Sequence, residues 1–86
     1  MINDTSIKND TNILVGSNIR KYREMIGMKP GRLVRELHLK GVEITIFGLS
    51  KIEANTQHIK ASQLKAIKEV LNCSYDDLLE SQSDEE

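Results

Sequence analysis

Side chains able to do covalent or metal chemistry are few in this chain and poorly grouped. His38 and His58 stand twenty residues apart. Neither has a cysteine or carboxylate around it at metal-ligand spacing, which argues against a zinc site. Cys73 is the single cysteine, and between Asn72 and Ser74 it reads as a small buried side chain rather than a nucleophile. Asp76 and Asp77 are adjacent, hence on different faces of a helix, and fit first-turn dipole partners better than an acid–base couple. No glycine-rich phosphate loop is present. The expectation is a protein that is not an enzyme and needs neither cofactor nor metal. The chemistry that does stand out is cationic. Arg20, Lys21, Arg23, Lys29, Arg32, Arg35 and Lys40 face only Glu24 and Glu36 within residues 20–40, a local excess of +5. Such an excess on one side attracts a polyanion such as DNA, although a solvated helical surface gives the same charge run.

The elements that would carry these charges must fit into 86 residues and 9.7 kDa, enough for one small core. Apolar residues are 38% and charged residues 29% of the chain, a balance that fits a globular domain rather than a disordered one. The longest apolar run, Ile13–Leu14–Val15, is far below the roughly 18 residues of a membrane span. No secretory signal pattern opens the chain, and a lone cysteine fits a reducing compartment, so a cytoplasmic location and no membrane partner are expected. The net charge of −1 is unevenly spread: residues 13–79 hold 11 basic against 7 acidic side chains, whereas residues 80–86 hold four acids and no base.

Hydrophobic spacing predicts helices throughout. Residues 1–12 show no period and read as a mobile tail, with Asn12 able to cap a first helix. Val15, Ile19, Tyr22 and Ile26 form one stripe on that helix, which ends at Gly27. Pro30 opens a second helix whose inner face is Leu33, Val34 and Leu37, with Gly41 as its terminator. Val42, Ile44 and Ile46 alternate briefly, but Thr45 is a good N-cap, and Ile44 and Leu49 occupy the two positions of a hydrophobic staple. A third helix therefore starts there, continues its inner face through Leu49 and Ile52, and closes at Asn55. A fourth helix over residues 61–71 turns Leu64, Ile67, Val70 and Leu71 inward. Ser74 caps a short fifth, with Asp76 and Asp77 at its positive end and Leu78 and Leu79 packing inward.

Taken together, these residues resemble the helix-turn-helix domain of phage repressor and Cro-type (XRE-like) regulators. The matching positions are Ile19, Arg20 and Arg23, then Leu33, Val34 and Leu37, then Ile44 and the run Leu49–Ser50–Lys51–Ile52–Glu53. Leu64, Ile67, Leu71 and the ending Cys73–Ser74–Tyr75–Asp76–Asp77–Leu78–Leu79 complete a match over residues 13–79. The resemblance implies an all-α, compact five-helix helix-turn-helix domain between a flexible 1–12 tail and an acidic 80–86 tail. It implies that the third helix lies in the major groove and presents Thr45, Ile46, Phe47, Gly48, Ser50 and Lys51 to base edges. Lys51 could donate to guanine and Ser50 could donate or accept, whereas Ile46 and Phe47 could read only shape or a thymine methyl. Relatives carry more polar residues there, and packing on the second helix or on a partner chain is the other reading of both. Gly48 costs a helix about 1 kcal/mol, and either close backbone approach to DNA or mere tolerance accounts for it.

The same resemblance places phosphate contacts at Lys29 and Arg32 beside the second helix's N-terminal amides, and at Asn55, Thr56, Gln57 and Lys60 after the third helix. It pairs Arg23 with Glu53 as a structural ion pair. The link between the second and third helices is about five residues longer than in the compact family form, read as an extra turn through Lys40, with Lys40 or His38 offering contacts of their own. The function implied is a sequence-specific regulator of transcription. It would be a repressor, occluding a promoter as a homodimer on a two-fold operator in double-stranded DNA, with Tyr75, Leu78 or Leu79 as candidate dimer contacts. The alternatives are an antitoxin-like regulator with a protein partner, and a purely protein-interacting domain with weak or no DNA binding. In the DNA-binding case, like-charge repulsion makes the acidic end a brake. Trimming residues 81–86 should strengthen binding, most at low salt, and unchanged or weaker binding there would remove the idea.

Overall fold

The computed structural model describes residues 14–80 and the short strand Ser6–Ile7. Five helices lie among the described residues: α1 (Val15–Met25), α2 (Pro30–Leu39), α3 (Ile46–Glu53), α4 (Ala61–Leu71) and α5 (Tyr75–Leu78). The boundaries follow local chemistry. Gly27 at φ 71° and Gly41 at φ 83° take the left-handed turns after α1 and α2, while Asn55 at φ 62° and Asn72 at φ 56° do so after α3 and α4. Pro30 sits in the first turn of α2, where its missing N–H costs nothing. Thr45 caps α3 by accepting from the Gly48 amide at 2.8 Å. Ser74 and Asp77 form a reciprocal capping box on α5, each amide donating to the other's side chain at 3.0 Å. The donated Ser74 amide holds the Asp77 carboxyl below its usual pKa.

The core is apolar and drawn from every helix. Val15, Ile19, Leu33, Leu37, Leu49, Ile52, Leu64, Ile67 and Leu78 are all buried, with Ile44 and Ile59 from the connecting segments. At roughly 1.5–3 kcal/mol for each fully buried aliphatic side chain, this cluster drives folding. α3 packs on both α1 and α2, and α4 packs on α2, so α3 is held from two sides.

Several expectations need correction. The apolar stripe of α1 stops at Tyr22, because Ile26 lies beyond the helix end and is 53% exposed. Its place on the inner face goes to two polar residues, Asn18 and Arg23. Leu79 is 38% exposed rather than packed fully inward, since one turn of α5 buries only Leu78 completely. α2 ends at Leu39, one residue short of the expected Lys40, which becomes its cap. Gly41 closes the lengthened helix, and Val42 and Glu43 lead on to Thr45, as expected. Ser6–Ile7 pairs antiparallel with Ile59–Lys60, so part of the segment read as a mobile tail carries a backbone ladder. α1 starts at Val15 behind Leu14, which gives it no side-chain cap. The expected cap Asn12, the remainder of residues 1–12 and residues 81–86 lie outside the described residues.

α1 and α3 approach each other closely at Gly16 of α1. A Cβ there would overlap the Ile52 carbonyl of α3 and stand 2.8 Å from Asn55 Oδ1. Backbone cannot yield as a flexible side chain does. Gly16→Ala should therefore lower stability by about 3 kcal/mol or more in chemical denaturation, despite alanine's better helix propensity. A variant as stable as the parent would show that the two helices are not held at this distance.

Candidate nucleic-acid interface

Three polar contacts brace α1, two of them tying down the inner side of α3. Arg23 and Glu53 form a two-pronged pair, Nε to Oε2 at 2.8 Å and Nη2 to Oε1 at 2.9 Å, with both side chains only 8% exposed. Arg23 Nη1 also donates to the Met28 carbonyl at 2.7 Å, and the hydrogen bond to Glu53 holds its pKa above the ordinary value. This is the buried case, in which removing one partner costs about 3–5 kcal/mol. Asn55 supplies the second tie. Its Oδ1 accepts from the Ser17 amide at 3.3 Å and its Nδ2 donates to Ser17 Oγ at 2.7 Å. In effect Asn55 caps α1 from the far end of α3. The third is Asn18, whose Nδ2 donates to the carbonyls of Leu78 and Glu80 at 2.8 and 3.0 Å, binding α1 to the end of α5.

The other side of α3 faces solvent. Phe47 is 70% and Ile46 55% exposed, and Thr45, Ser50 and Lys51 are exposed as well. Phe47 is therefore not a core residue. Ile46 does flank α2, since a Cβ on Gly31 would touch its Cδ1 at 3.8 Å. Lys51 Nζ lies over the Phe47 ring, 4.6 Å from its centroid. A Cβ on Gly48 would come within 3.2 Å of Thr45 Oγ1 and 3.5 Å of an Ile44 side-chain carbon. Keeping room for the cap is a third reason for glycine there, beyond DNA approach or tolerance.

Phe47, Gly48 and Lys51 line one wall of an open cleft of about 860 Å³. Gln57, Gln63, Glu43 and His38 line it as well. His38 does not project as an independent contact: its Nε2 lies 2.8 Å from the Ile44 carbonyl, pinning the link to α2. Lys40 likewise points away, to Glu69 at 3.2 Å.

The phosphate candidates divide in two. Lys29, Arg32, Gln57 and Lys60 are exposed, with Arg32 only loosely paired to Glu36 at 3.9 Å. Asn55 is turned inward to Ser17, and the Thr56 hydroxyl donates to the Lys51 carbonyl at 3.1 Å, so both serve as structural ends of α3. The Arg32 amide turns back to the Lys29 carbonyl at 3.0 Å, which leaves mainly the Gly31 N–H at the open end of α2. Among the described residues no group of three His, Cys, Asp or Glu side chains could hold a metal, and no helix is long and apolar enough to cross a membrane. Cys73 is half-buried, and burial raises its thiol pKa, which leaves less of the reactive thiolate.

Two residues that brace the helices behind this surface, Gly16 and Asn18, stand outside the site residues read from sequence. The available signals were a glycine inside a helical stripe and a polar residue at a core-facing step of α1. Comparisons with protein-family models, curated proteins and solved structures return no match to this chain.

Because Phe47 contributes little to the core, Phe47→Ala should change unfolding free energy by no more than about 0.5 kcal/mol. A loss of about 3–5 kcal/mol, the usual result for a buried phenylalanine, would contradict the exposed placement.

Proposed function

We propose that this chain is a sequence-specific double-stranded DNA-binding regulator of the phage repressor/Cro helix-turn-helix type. On this reading it acts in the cytoplasm as a repressor, and binds a two-fold operator as a homodimer. The observation carrying the reading is the division of α3 into a clamped face and an open one. Arg23–Glu53, Leu49 and Ile52 hold its inner side, while Phe47, Ser50 and Lys51 remain exposed. An α-helix fits the width of the major groove, where each base pair shows its own pattern of donors, acceptors and methyl groups. Exposed Lys29 and Arg32 at the start of α2, and Lys60 beyond α3, supply cations for the flanking phosphates. One such helix covers few base pairs, so two copies on half-sites about one DNA turn apart give useful selectivity.

A second reading rests on the 70% exposure of Phe47 beside Ile46. Apolar residues on a recognition surface also suit a protein partner, as in an antitoxin-like regulator or a purely protein-interacting domain. Selection of bound sequences from random duplex DNA separates the two. The DNA reading expects one enriched palindrome, and no enrichment together with a co-purifying polypeptide favours the partner.

Lys29 and Arg32 test the phosphate assignment directly. Changing either to Ala should weaken binding to specific and random DNA about equally, and lower the salt slope by about 1. A loss confined to the specific site would contradict the assignment.

A further inference from the structure

Phe47 and Lys51 lie one helical turn apart on the open side of α3, with the Lys51 ammonium over the Phe47 ring at 4.6 Å. Both line the cleft, together with Gly48 and Gln57. A lone lysine is a poor reader of sequence, because it is a mobile point charge on a flexible stem. An aromatic face beneath the ammonium changes this. It attracts the cation and restricts where the amine can point, so less ordering remains to be done on binding. The ring's edge stays open at the same time, since Phe47 is 70% exposed.

Resting on the DNA reading above, we infer that Phe47 and Lys51 form a single reading unit, in which the ring takes a thymine 5-methyl and directs the ammonium to the N7 and O6 of a nearby guanine. The spacing matches. Four helical residues rise about 6 Å, against about 3.4 Å per base pair, so the two contacts fall on base pairs one or two steps apart. Both targets are exposed in the major groove, where the methyl marks thymine and the paired acceptors mark guanine. Glu43 is an acidic side chain lining the same cleft, and its charge repels phosphate there. The half-site is therefore expected to contain thymine within two steps of guanine.

The test uses the full chain and the duplex it selects. Replacing that thymine by deoxyuridine removes only the methyl, and replacing the guanine by 7-deazaguanine removes only N7. Phe47→Leu keeps an apolar contact for the methyl but has no aromatic face, whereas Phe47→Trp keeps the face. Phe47→Leu should retain the penalty for deoxyuridine yet lose about fivefold of the discrimination for guanine, and Phe47→Trp should keep that discrimination. Lys51→Ala should abolish it in either background. Unchanged guanine discrimination in Phe47→Leu, with melting equal to the parent, would show that the two side chains act independently and overturn the inference. An enriched half-site lacking thymine near guanine would overturn it too, while leaving DNA binding intact. No enrichment of any duplex would instead remove the DNA reading on which it stands.

Discussion

The crossing of α1 and α3 is the constraint on which the rest of the structure depends. The two helices touch backbone to backbone at Gly16 and Ile52, a contact that only glycine permits. At one end of the crossing Asn55 caps α1, and Arg23 grips Glu53. A close backbone approach fixes distance but leaves rotation open. A two-pronged guanidinium–carboxylate pair is planar and directional, so it defines rotation about the α3 axis as well. With rotation set, Leu49 and Ile52 must point inward, and Phe47 and Lys51 must point out. The exposed face is thus a consequence of the buried one.

The other end of α3 is set by the link from α2. Its residues run from the left-handed turn at Gly41 to the cap at Thr45, and backbone outside a helix has amides and carbonyls to satisfy. His38 meets that need from the last turn of α2 by bonding the Ile44 backbone. Ile44 is then buried next to the capped first turn, so the longer link still delivers the chain to α3 at a defined angle. Pinning costs an exposed imidazole that could have reached a ligand. Positioning and contact compete for the same side chain here, and positioning wins.

What could be read from sequence was whatever is decided locally. The caps at Thr45 and Ser74, the proline start of α2, and the turns at Gly27, Gly41 and Asn55 each depend on residues within a few positions, and all five helices follow from them. The burial of Arg23 and Glu53 is different. Their types suggest pairing, but thirty residues of chain separate them, and only tertiary packing makes the pair buried. Asn55 shows the limit most clearly. A polar residue after a helix fits a phosphate contact, a turn former or a cap equally well, and the choice depends on Ser17, 38 positions earlier. The Ser6–Ile7 ladder was invisible for a related reason: two residues are too few to show alternation. Phe47 and Ile46 stayed ambiguous because helical spacing places both near the boundary of the inner face.

Under the proposed DNA reading, electrostatics sets how such a small domain must work. Lys29, Arg32, Lys51 and Lys60 are the exposed cations around the open side of α3, and Glu36 already draws on Arg32. With Lys51 turned to a base, the other three give three phosphate neutralisations per copy, a salt slope of roughly −2.7, and two copies about −5. The first figure is small at physiological salt, where non-specific binding already falls to about 10⁻⁴–10⁻⁶ M for typical DNA-binding proteins. With a net charge of −1 over the whole chain, long-range attraction from the locally basic helices is only partly available to offset it. Affinity must then come from doubling the interface rather than enriching it. Joining two copies makes the second contact intramolecular, at an effective concentration far above that of the separate chain. A chain with few cations and an apolar reading face gains little from loose encounters with DNA, and most of its binding from correct, paired half-sites. On this reasoning the modest charge of the domain favours selectivity over raw affinity.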